Sequence, residues 1–218
     1  MNLIDFHTHK NVQSETVLSI QSVRQGEPLP QQGLFGYGLH PWDSETQKIF
    51  QLNNEIRNNK NLFYIGECGL DKLKGAYLEQ QLSIFEEHIQ ISEKLKKPLV
   101  IHCVGYFNEL LHIKKEKQPV QPWIIHGFTG HPQLARQLTA AGFKLSFGHA
   151  ILAEKSKAAQ SLKQTPPQSF FLETDDSNKP IQEIYKNAAK IRSLDIKQMI
   201  EIIWDNFLSL NKNEHNNQ

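Results

Sequence analysis

The chain has 218 residues, of which 24 are Lys or Arg, 23 are Asp or Glu and 39% are hydrophobic, a composition typical of folded proteins. The formal net charge of +1 argues against capture of nucleic acid by a large basic excess. No apolar run approaches the roughly 18 residues of a membrane span. The start MNLIDFHTHK lacks the pattern of a secretory signal, and two cysteines cannot build a disulfide framework. We therefore expect a cytoplasmic protein without membrane contact. We also expect it to be a monomer or a weak oligomer.

Short apolar runs bounded by Gly, Pro or polar residues predict eight strands, at 3–7, 16–22, 34–39, 62–66, 98–102, 122–126, 143–147 and 169–173. Amphipathic stretches between most of them predict helices at 44–59, 76–96, 106–117, 132–141, 150–163, 180–191 and 195–209. Asp195 is expected to cap the last helix.

Strands that alternate with helices are typical of parallel sheets, and eight of them predict a TIM-type (β/α)8 barrel, an α/β fold. The connections at 10–15 and 23–33 are too short for full helices, so we expect the first two βα units to be shortened. No linker or repeat interrupts the pattern. We predict one domain over 1–210, followed by a polar tail at 211–218.

Seven side chains that can bind metals follow the predicted strands at their C-terminal ends: His7, His9, His40, Glu67, His102, His126 and Asp175. In a βα barrel these positions converge on one face. A single histidine at a strand end is more often a hydrogen-bonded structural residue, but the joint placement of the set favours a metal site. Imidazole and carboxylate ligands suit divalent ions such as Zn, Mn, Fe or Co. The set exceeds the needs of one tetrahedral ion, so it favours two ions that together activate a water.

The motifs FHTH, GLHPW, IGECGLD, KKPLVIHC, IIHGFTG, LSFG and LETD occur in the order seen in the TatD family of metal-dependent hydrolases, which the chain resembles from Phe6 to about Leu208. FHTH alone is a weak signal, whereas IGECGLD with the spaced IHC, HGFTG and ETD is a strong one. The resemblance implies a TIM-like barrel that cleaves phosphodiester bonds, often as a deoxyribonuclease or exonuclease, with DNA or another phosphodiester as substrate.

The resemblance also implies two divalent ions per chain, such as Zn, Mg or Mn, and a role for each candidate residue. One ion would be held by His7, His9, Glu67 and Asp175. The other would be held by Glu67, His102 and His126, so that Glu67 bridges the pair. His40 would contact the substrate phosphate or support the site from outside. Asp175 and Glu67 would be catalytic, with Asp175 accepting a proton from the attacking water.

Departures from the family pattern concern the predicted substrate groove rather than the ligands. Val104 stands where the family usually has arginine, and Lys72 stands where an aromatic residue is frequent. The segment at 176–180 replaces a long Pro-rich loop, and the first helix is missing. Lys72 and Lys74 could supply positive charge, although solvated surface lysines are the simpler interpretation.

Two other functions remain open at this stage. One is an amide or ester hydrolase of the amidohydrolase type, which commonly bridges its metals with a carboxylated lysine where this chain has Glu67. The other is a metal-binding barrel that has lost catalysis. Among the remaining residues, His88 and His112 are interpreted as exposed helix positions. Trp42 and Phe128 could stack on a base, but packing beside a turn is at least as plausible.

Overall fold

The structure, a computed structural model, describes residues 2–10 and 14–211. These residues contain eight strands: β1 (Leu3–Thr8), β2 (Val17–Arg24), β3 (Leu34–Gly38), β4 (Leu62–Asp71), β5 (Leu99–Val104), β6 (Trp123–Ile125), β7 (Lys144–Phe147) and β8 (Phe170–Leu172). They also contain seven α-helices: α1 (Asn54–Arg57), α2 (Leu78–Leu95), α3 (Phe107–Lys117), α4 (Pro132–Ala140), α5 (Lys157–Gln164), α6 (Ile181–Arg192) and α7 (Ile196–Asn211).

The strand order confirms the TIM-type (β/α)8 fold. The strands follow one another in the sheet in chain order, and the pairs β3–β4, β4–β5, β5–β6 and β7–β8 are parallel. β8 returns beside β1, where Thr8 and Asp175 form a parallel bridge. No described residue of the connections after β1 and β2 is helical, so the first two βα units are shortened as predicted. Within the described ranges, no helix is long and apolar enough to cross a membrane.

The chain divides into two compact units, one formed by Met1–Ile20 with His126–Gln218 and the other by Gln21–Ile125. In the first unit, the rings of Phe6 and Phe171 stack with centroids 4.1 Å apart. The hydroxyl of Tyr185 accepts from the amide of Ile4 at 3.1 Å and donates to its carbonyl at 3.0 Å. α6 is thereby fixed to β1. The single domain over 1–210 stays a prediction, and residues 212–218 of the predicted tail lie outside the described residues.

The second unit is built around β4, whose ten residues are all buried. Its glycines let β5 approach closely: a Cβ on Gly66 would lie 2.3 Å from the carbonyl oxygen of Val100, and one on Gly69 would lie 2.2 Å from that of His102. The predicted strand at 62–66 is therefore too short. Pairing with β5 continues to Asp71 opposite Val104, so Glu67 lies within the strand rather than after it.

The predicted helix at 44–59 is wrong. The segment contains the end of a 3-10 helix at Pro41–Glu45 and the single turn of α1, with irregular backbone between them. Side chains distant in sequence accept hydrogen bonds from backbone amides in this segment. Glu87 accepts from Phe50 at 2.7 Å, and Gln25 accepts from Gln51 at 2.7 Å. Asn53 then caps α1 through its Oδ1.

The predicted helix at 150–163 is divided into two parts. A 3-10 helix at His149–Leu152 precedes α5, and Ser156 starts α5 by accepting the amide of Ala159 at 3.1 Å. The other five predicted helices are confirmed within a few residues. Asp195 caps the last one, accepting the amide of Gln198 at 2.9 Å.

His88 is fully buried, so the prediction that it is exposed is wrong, whereas His112 is 70% exposed in its side chain as expected. The His88 ring stacks on Phe50 with centroids 3.7 Å apart. Its Nε2 accepts the amide of Leu39 at 2.9 Å, so its Nδ1 carries the proton and donates to the carbonyl of Ile84 at 2.7 Å. Burial lowers the pKa of this imidazole to about 3.

We predict that His88 makes the folded protein sensitive to acid. The unfolded chain binds a proton at this imidazole near pH 6.5, whereas the folded chain does so only near pH 3. Lowering the pH from 7.5 to 5 should therefore reduce the free energy of unfolding by about 2 kcal/mol through this residue. Urea unfolding across this range should show a shallower pH dependence in His88→Gln. The matched control His112→Gln should keep the parent's slope, and equal slopes in all three proteins would contradict the prediction.

Candidate metal centre

The first unit gathers two histidines of β1 and one aspartate beyond β8. Donor atoms of His7, His9 and Asp175 all lie within 4.8 Å of one another. The Oδ1 of Asp175 is 3.5 Å from the Nε2 of His9 and 3.9 Å from the Nε2 of His7. The two imidazole rings meet edge to face, with centroids 5.2 Å apart. Residues two apart in a strand share one face, and both rings accordingly turn toward the same carboxylate.

Backbone contacts hold Asp175 in this place. Its amide donates to the carbonyl of His7 at 2.9 Å, and its carbonyl accepts the amide of His9 at 3.2 Å. Its φ of +55° lies in the left-handed region, which residues other than glycine rarely adopt. The bridge to β1 stabilises this conformation, and the half-buried carboxylate remains accessible to water.

His126 joins this unit through Glu173. The His126 ring stacks on His7 with centroids 4.3 Å apart, and its Nδ1 lies 3.5 Å from the Oε1 of Glu173. Glu173 is 0% exposed and also accepts the amide of Gly127 at 2.6 Å. Burial raises the pKa of Glu173, but the hydrogen bond and the positive field of His126 and His7 outweigh it and leave the pKa below its ordinary value.

The second unit gathers its donors around Glu67 of β4. Donor atoms of His40, Glu67 and His102 lie within 4.8 Å of one another. The Oε1 of Glu67 is 2.8 Å from the Nε2 of His40 and 3.1 Å from the Nδ1 of His102. The Nδ1 of His40 accepts the amide of Trp42 at 3.1 Å, so its Nε2 carries the proton and donates to Glu67. Burial lowers the pKa of His40 more than Glu67 raises it.

Asp71, at the end of β4, faces the other side of His102. Its Oδ2 is 2.9 Å from the Nε2 of His102 and 2.6 Å from the indole Nε1 of Trp42. Its Oδ1 accepts the amides of Leu73 at 2.7 Å and Lys74 at 3.1 Å. Burial raises the pKa of Asp71, but the hydrogen bonds from Trp42, Leu73 and His102 outweigh it and lower the pKa below its ordinary value. An ionised Asp71 therefore fixes the His102 ring.

Each unit, taken by itself, brings several of the predicted site residues together. His7, His9, His126 and Asp175 come together in the first unit, and His40, Glu67 and His102 in the second. The bridging role of Glu67 and the role of His40 as a substrate contact stay predictions. Sequence reasoning missed Asp71 and Glu173 as partners of His102 and His126. Both stand in motifs already singled out, IGECGLD and LETD, and their position within four residues of a candidate carboxylate ligand was the available signal.

Both groups fit divalent metal ions. Each combines at least two imidazoles with one carboxylate, the donor set that Zn and similar first-row ions prefer. Each also has a carboxylate that contacts a candidate histidine ligand from a second side, Glu173 at His126 and Asp71 at His102. Such partners orient metal-binding imidazoles and raise their basicity.

Several known proteins are similar to this chain over 65% to 90% of its length. An uncharacterized metal-dependent hydrolase of Buchnera aphidicola (strain Bp) is 33% identical over 146 residues, which are 65% of this chain and 55% of that protein. The metal-dependent hydrolase MJ1582 of Methanocaldococcus jannaschii is 25% identical, over 78% of this chain and 72% of its own length. The human deoxyribonuclease TATDN3 is 26% identical over 217 residues, 90% of this chain and 78% of that protein.

Solved structures agree on the fold. The TatD homologue YjjV of Escherichia coli K12 superposes with a TM-score of 0.79 at 20% identity, over 95% of this chain and 96% of that one. A TatD family hydrolase of Entamoeba histolytica superposes with a TM-score of 0.73 at 14% identity, over 96% and 97% of the two chains. The profile of the TatD related DNase family matches residues 6–212. With the match spanning nearly all of its length, the chain belongs to the TatD family of metal-dependent hydrolases.

Proposed function

We propose that the chain hydrolyses phosphodiester bonds of DNA as a deoxyribonuclease or exonuclease that depends on two divalent metal ions. The observation that carries the proposal is the pair of donor groups, His7–His9–Asp175 and His40–Glu67–His102, each with three donor atoms within 4.8 Å of one another. The name of the human relative supports DNA as the substrate. A cytoplasmic location and a monomeric or weakly oligomeric state stay predictions.

We assign the ions to the ligands expected from the sequence, His7, His9, Glu67, His102, His126 and Asp175. When bound, divalent ions would acidify a water and neutralise charge on the attacked phosphate. The chain's own contribution is to hold the donors in fixed orientations. Asp71 accepts from the Nε2 of His102, so the lone pair that would bind an ion is on the Nδ1, which lies 3.1 Å from Glu67.

Asp175 is the residue best suited to accept the proton of the attacking water. Its carboxylate is half-buried beside His9, and its backbone is fixed to β1 on both sides. General-base catalysis by a positioned carboxylate requires this combination of access and fixed geometry. His40 is almost fully buried and donates to Glu67, which supports a role in holding Glu67. Its predicted contact with the substrate phosphate stays a prediction.

The two alternative functions are not favoured. An amide or ester hydrolase of the amidohydrolase type would commonly place a lysine where β4 carries Glu67. A barrel without catalysis would not require an accessible aspartate beside two histidines, and Asp175 meets that description. Membership of the TatD family adds weight to phosphodiester hydrolysis.

We predict that activity requires a restored divalent ion. Metal-stripped protein should not cleave a 5′-labelled single-stranded DNA oligomer. Adding Mn, Zn, Mg or Co singly should restore a ladder of products with at least one ion, because the donor groups accept several ions. Gel electrophoresis of the products measures the activity and shows which end is attacked. Intact oligomer with every ion, although calorimetry detects bound metal, would contradict the nuclease assignment.

We predict that Asp175→Asn lowers kcat by about 100-fold or more, since the amide cannot accept the proton and binds metal weakly. The rate is measured with the labelled oligomer at saturating metal. The neighbouring Asp176 is exposed and belongs to neither donor group, so Asp176→Asn is the matched control and should retain the parent's rate. Equal rates for the two variants would remove Asp175 from the mechanism.

We predict that Asp71→Asn weakens binding of one metal ion by about 10-fold, because loss of the charge lowers the basicity of His102. Competition with a zinc chelator measures the affinity independently of turnover. Asp43, which pairs with Arg24 at 3.6 Å, lies near the same loop, and Asp43→Asn should leave the affinity unchanged. Unaltered affinity in Asp71→Asn would show that Asp71 only packs against His102.

A further inference from the structure

A glutamine occupies a buried position in α2, on the side of the helix that packs against β4. Gln81 is 2% exposed. It shares the buried face of α2 with Ile84, Phe85, His88, Ile89 and Ser92. Packing alone requires only an apolar side chain at such a position, and a buried amide lowers stability unless its donors and its acceptor are hydrogen-bonded. The partners of the Gln81 amide therefore indicate what the residue does besides filling space.

The end of β4 extends beyond one of its two neighbouring strands. β4 runs to Asp71, whereas its register with β3 ends where Tyr37 lies opposite Ile65. On the other side, pairing with β5 continues, and the amide of Lys72 donates to the carbonyl of Val104 at 2.9 Å. Peptide groups of successive strand residues point to alternate neighbours, so those of Asp71 point to the side on which β3 has already ended. They need partners from another element.

Gln81 provides both of these partners. Its Oε1 accepts the amide of Asp71 at 2.7 Å, and its Nε2 donates to the carbonyl of Asp71 at 2.9 Å. A side-chain amide has the same kinds of donor and acceptor as a peptide group, so Gln81 takes the place of a neighbouring strand at this residue. The same Nε2 donates to the carbonyls of Ala76 at 2.6 Å and Lys74 at 3.3 Å. One amide thus holds the end of β4 together with the loop that follows it.

The backbone that Gln81 holds carries the carboxylate that orients His102. The Oδ1 of Asp71 accepts the amides of Leu73 and Lys74, and this turn fixes the direction of the carboxylate. Its Oδ2 lies 2.9 Å from the Nε2 of His102, one of the imidazoles proposed to hold metal. Gln81 and His102 are thus connected through a single residue, which is hydrogen-bonded to the first by its backbone and to the second by its side chain.

We propose that Gln81 is a positioning residue for metal binding: its amide fixes Asp71, and Asp71 holds His102 in the orientation that binds the ion. This role rests on the proposed function, which assigns a metal ion to His102, and it adds a residue that contacts neither the ion nor the substrate. Loss of a partner that orients a metal-binding histidine reduces metal affinity by about 10- to 100-fold, and Gln81 acts through such a partner. A role in packing alone would leave the metal affinity of the folded protein unchanged.

The zinc affinity of the full chain, measured by competition with a chromophoric chelator, tests the proposal independently of turnover. Gln81→Met keeps an unbranched side chain of similar length but loses all four hydrogen bonds of the amide. It should weaken binding of one zinc ion by about 10-fold. Gln80, the preceding residue, donates to the carbonyl of Ser44 instead. Gln80→Met is therefore the matched control and should bind zinc as the parent does.

A double variant distinguishes a positioning role from a role in stability alone. If Gln81 acts through Asp71, the double variant Gln81→Met/Asp71→Asn should bind zinc about as weakly as Asp71→Asn does, because both changes remove the same interaction with His102. Independent effects would multiply, and a loss in the double variant equal to the product of the two single losses would contradict the proposed connection. Thermal melts check that each variant is folded at the temperature of the titration.

A measurement on the unchanged protein keeps the proposal testable if Gln81→Met does not fold. Linkage is reciprocal, so if the hydrogen bonds of Gln81 strengthen zinc binding about 10-fold, bound zinc must stabilise those bonds by the same factor. Saturating zinc should therefore slow hydrogen exchange of the Gln81 side-chain amide protons about 10-fold more than exchange of those of Gln80, as measured by NMR.

The proposal is overturned if Gln81→Met binds zinc as Gln80→Met does, or if zinc slows exchange equally at the two glutamines. These outcomes are separate from failure of the proposed function. Zinc binding that follows the expected pattern without cleavage of DNA by any metal-loaded form would contradict only the nuclease assignment. Cleavage of DNA by a parent that binds zinc no more tightly than Gln81→Met does would contradict only the role of Gln81.

Discussion

The burial of three carboxylates beside histidines is the constraint on which the site depends. Glu67, Asp71 and Glu173 are all nearly inaccessible to water, and an ionised carboxylate in such surroundings is strongly unfavourable unless donors or cations contact it. Imidazoles and backbone amides provide those contacts in each unit of this protein. The imidazoles are therefore fixed by the requirement that buried acids be hydrogen-bonded, and a fixed imidazole is already oriented as a ligand.

The same constraint connects the proposed metal centre with the surface around it. Asp71 accepts from His102 on one side and from Trp42 on another, so one carboxylate orients both a candidate ligand and an exposed aromatic ring. Lys72, which follows Asp71 in the chain, is one of the positions at which this protein departs from the family pattern. Lys72 stands where the family often has an aromatic residue, yet Trp42 supplies an aromatic face from the preceding loop.

The sequence predicted those elements whose pattern is local. Alternating short apolar runs and amphipathic helices identify the (β/α)8 order, and α2 and α7 have clear helical periods and ends. The local pattern at 44–59 predicts a helix, but Glu87 and Gln25 accept hydrogen bonds from the backbone amides of Phe50 and Gln51. Neither acceptor is near in sequence, so no local pattern could have revealed the competition. His88 illustrates the same limit: its charged neighbours in α2 predict exposure, whereas packing on Phe50 buries it.

By itself, the sequence determined the fold class, the family and the identity of the candidate ligands. Strand periodicity depends only on residues close in sequence, and so do the motifs around His7, Glu67, His102 and Asp175. The tertiary structure alone decided that β4 extends through Glu67 to Asp71, that Asp71 and Glu173 hold His102 and His126, and that Trp42 is exposed while Phe128 is buried. The physical reason is that strand length, orienting hydrogen bonds and exposure depend on which distant residues come into contact, and a linear pattern carries no direct record of those contacts.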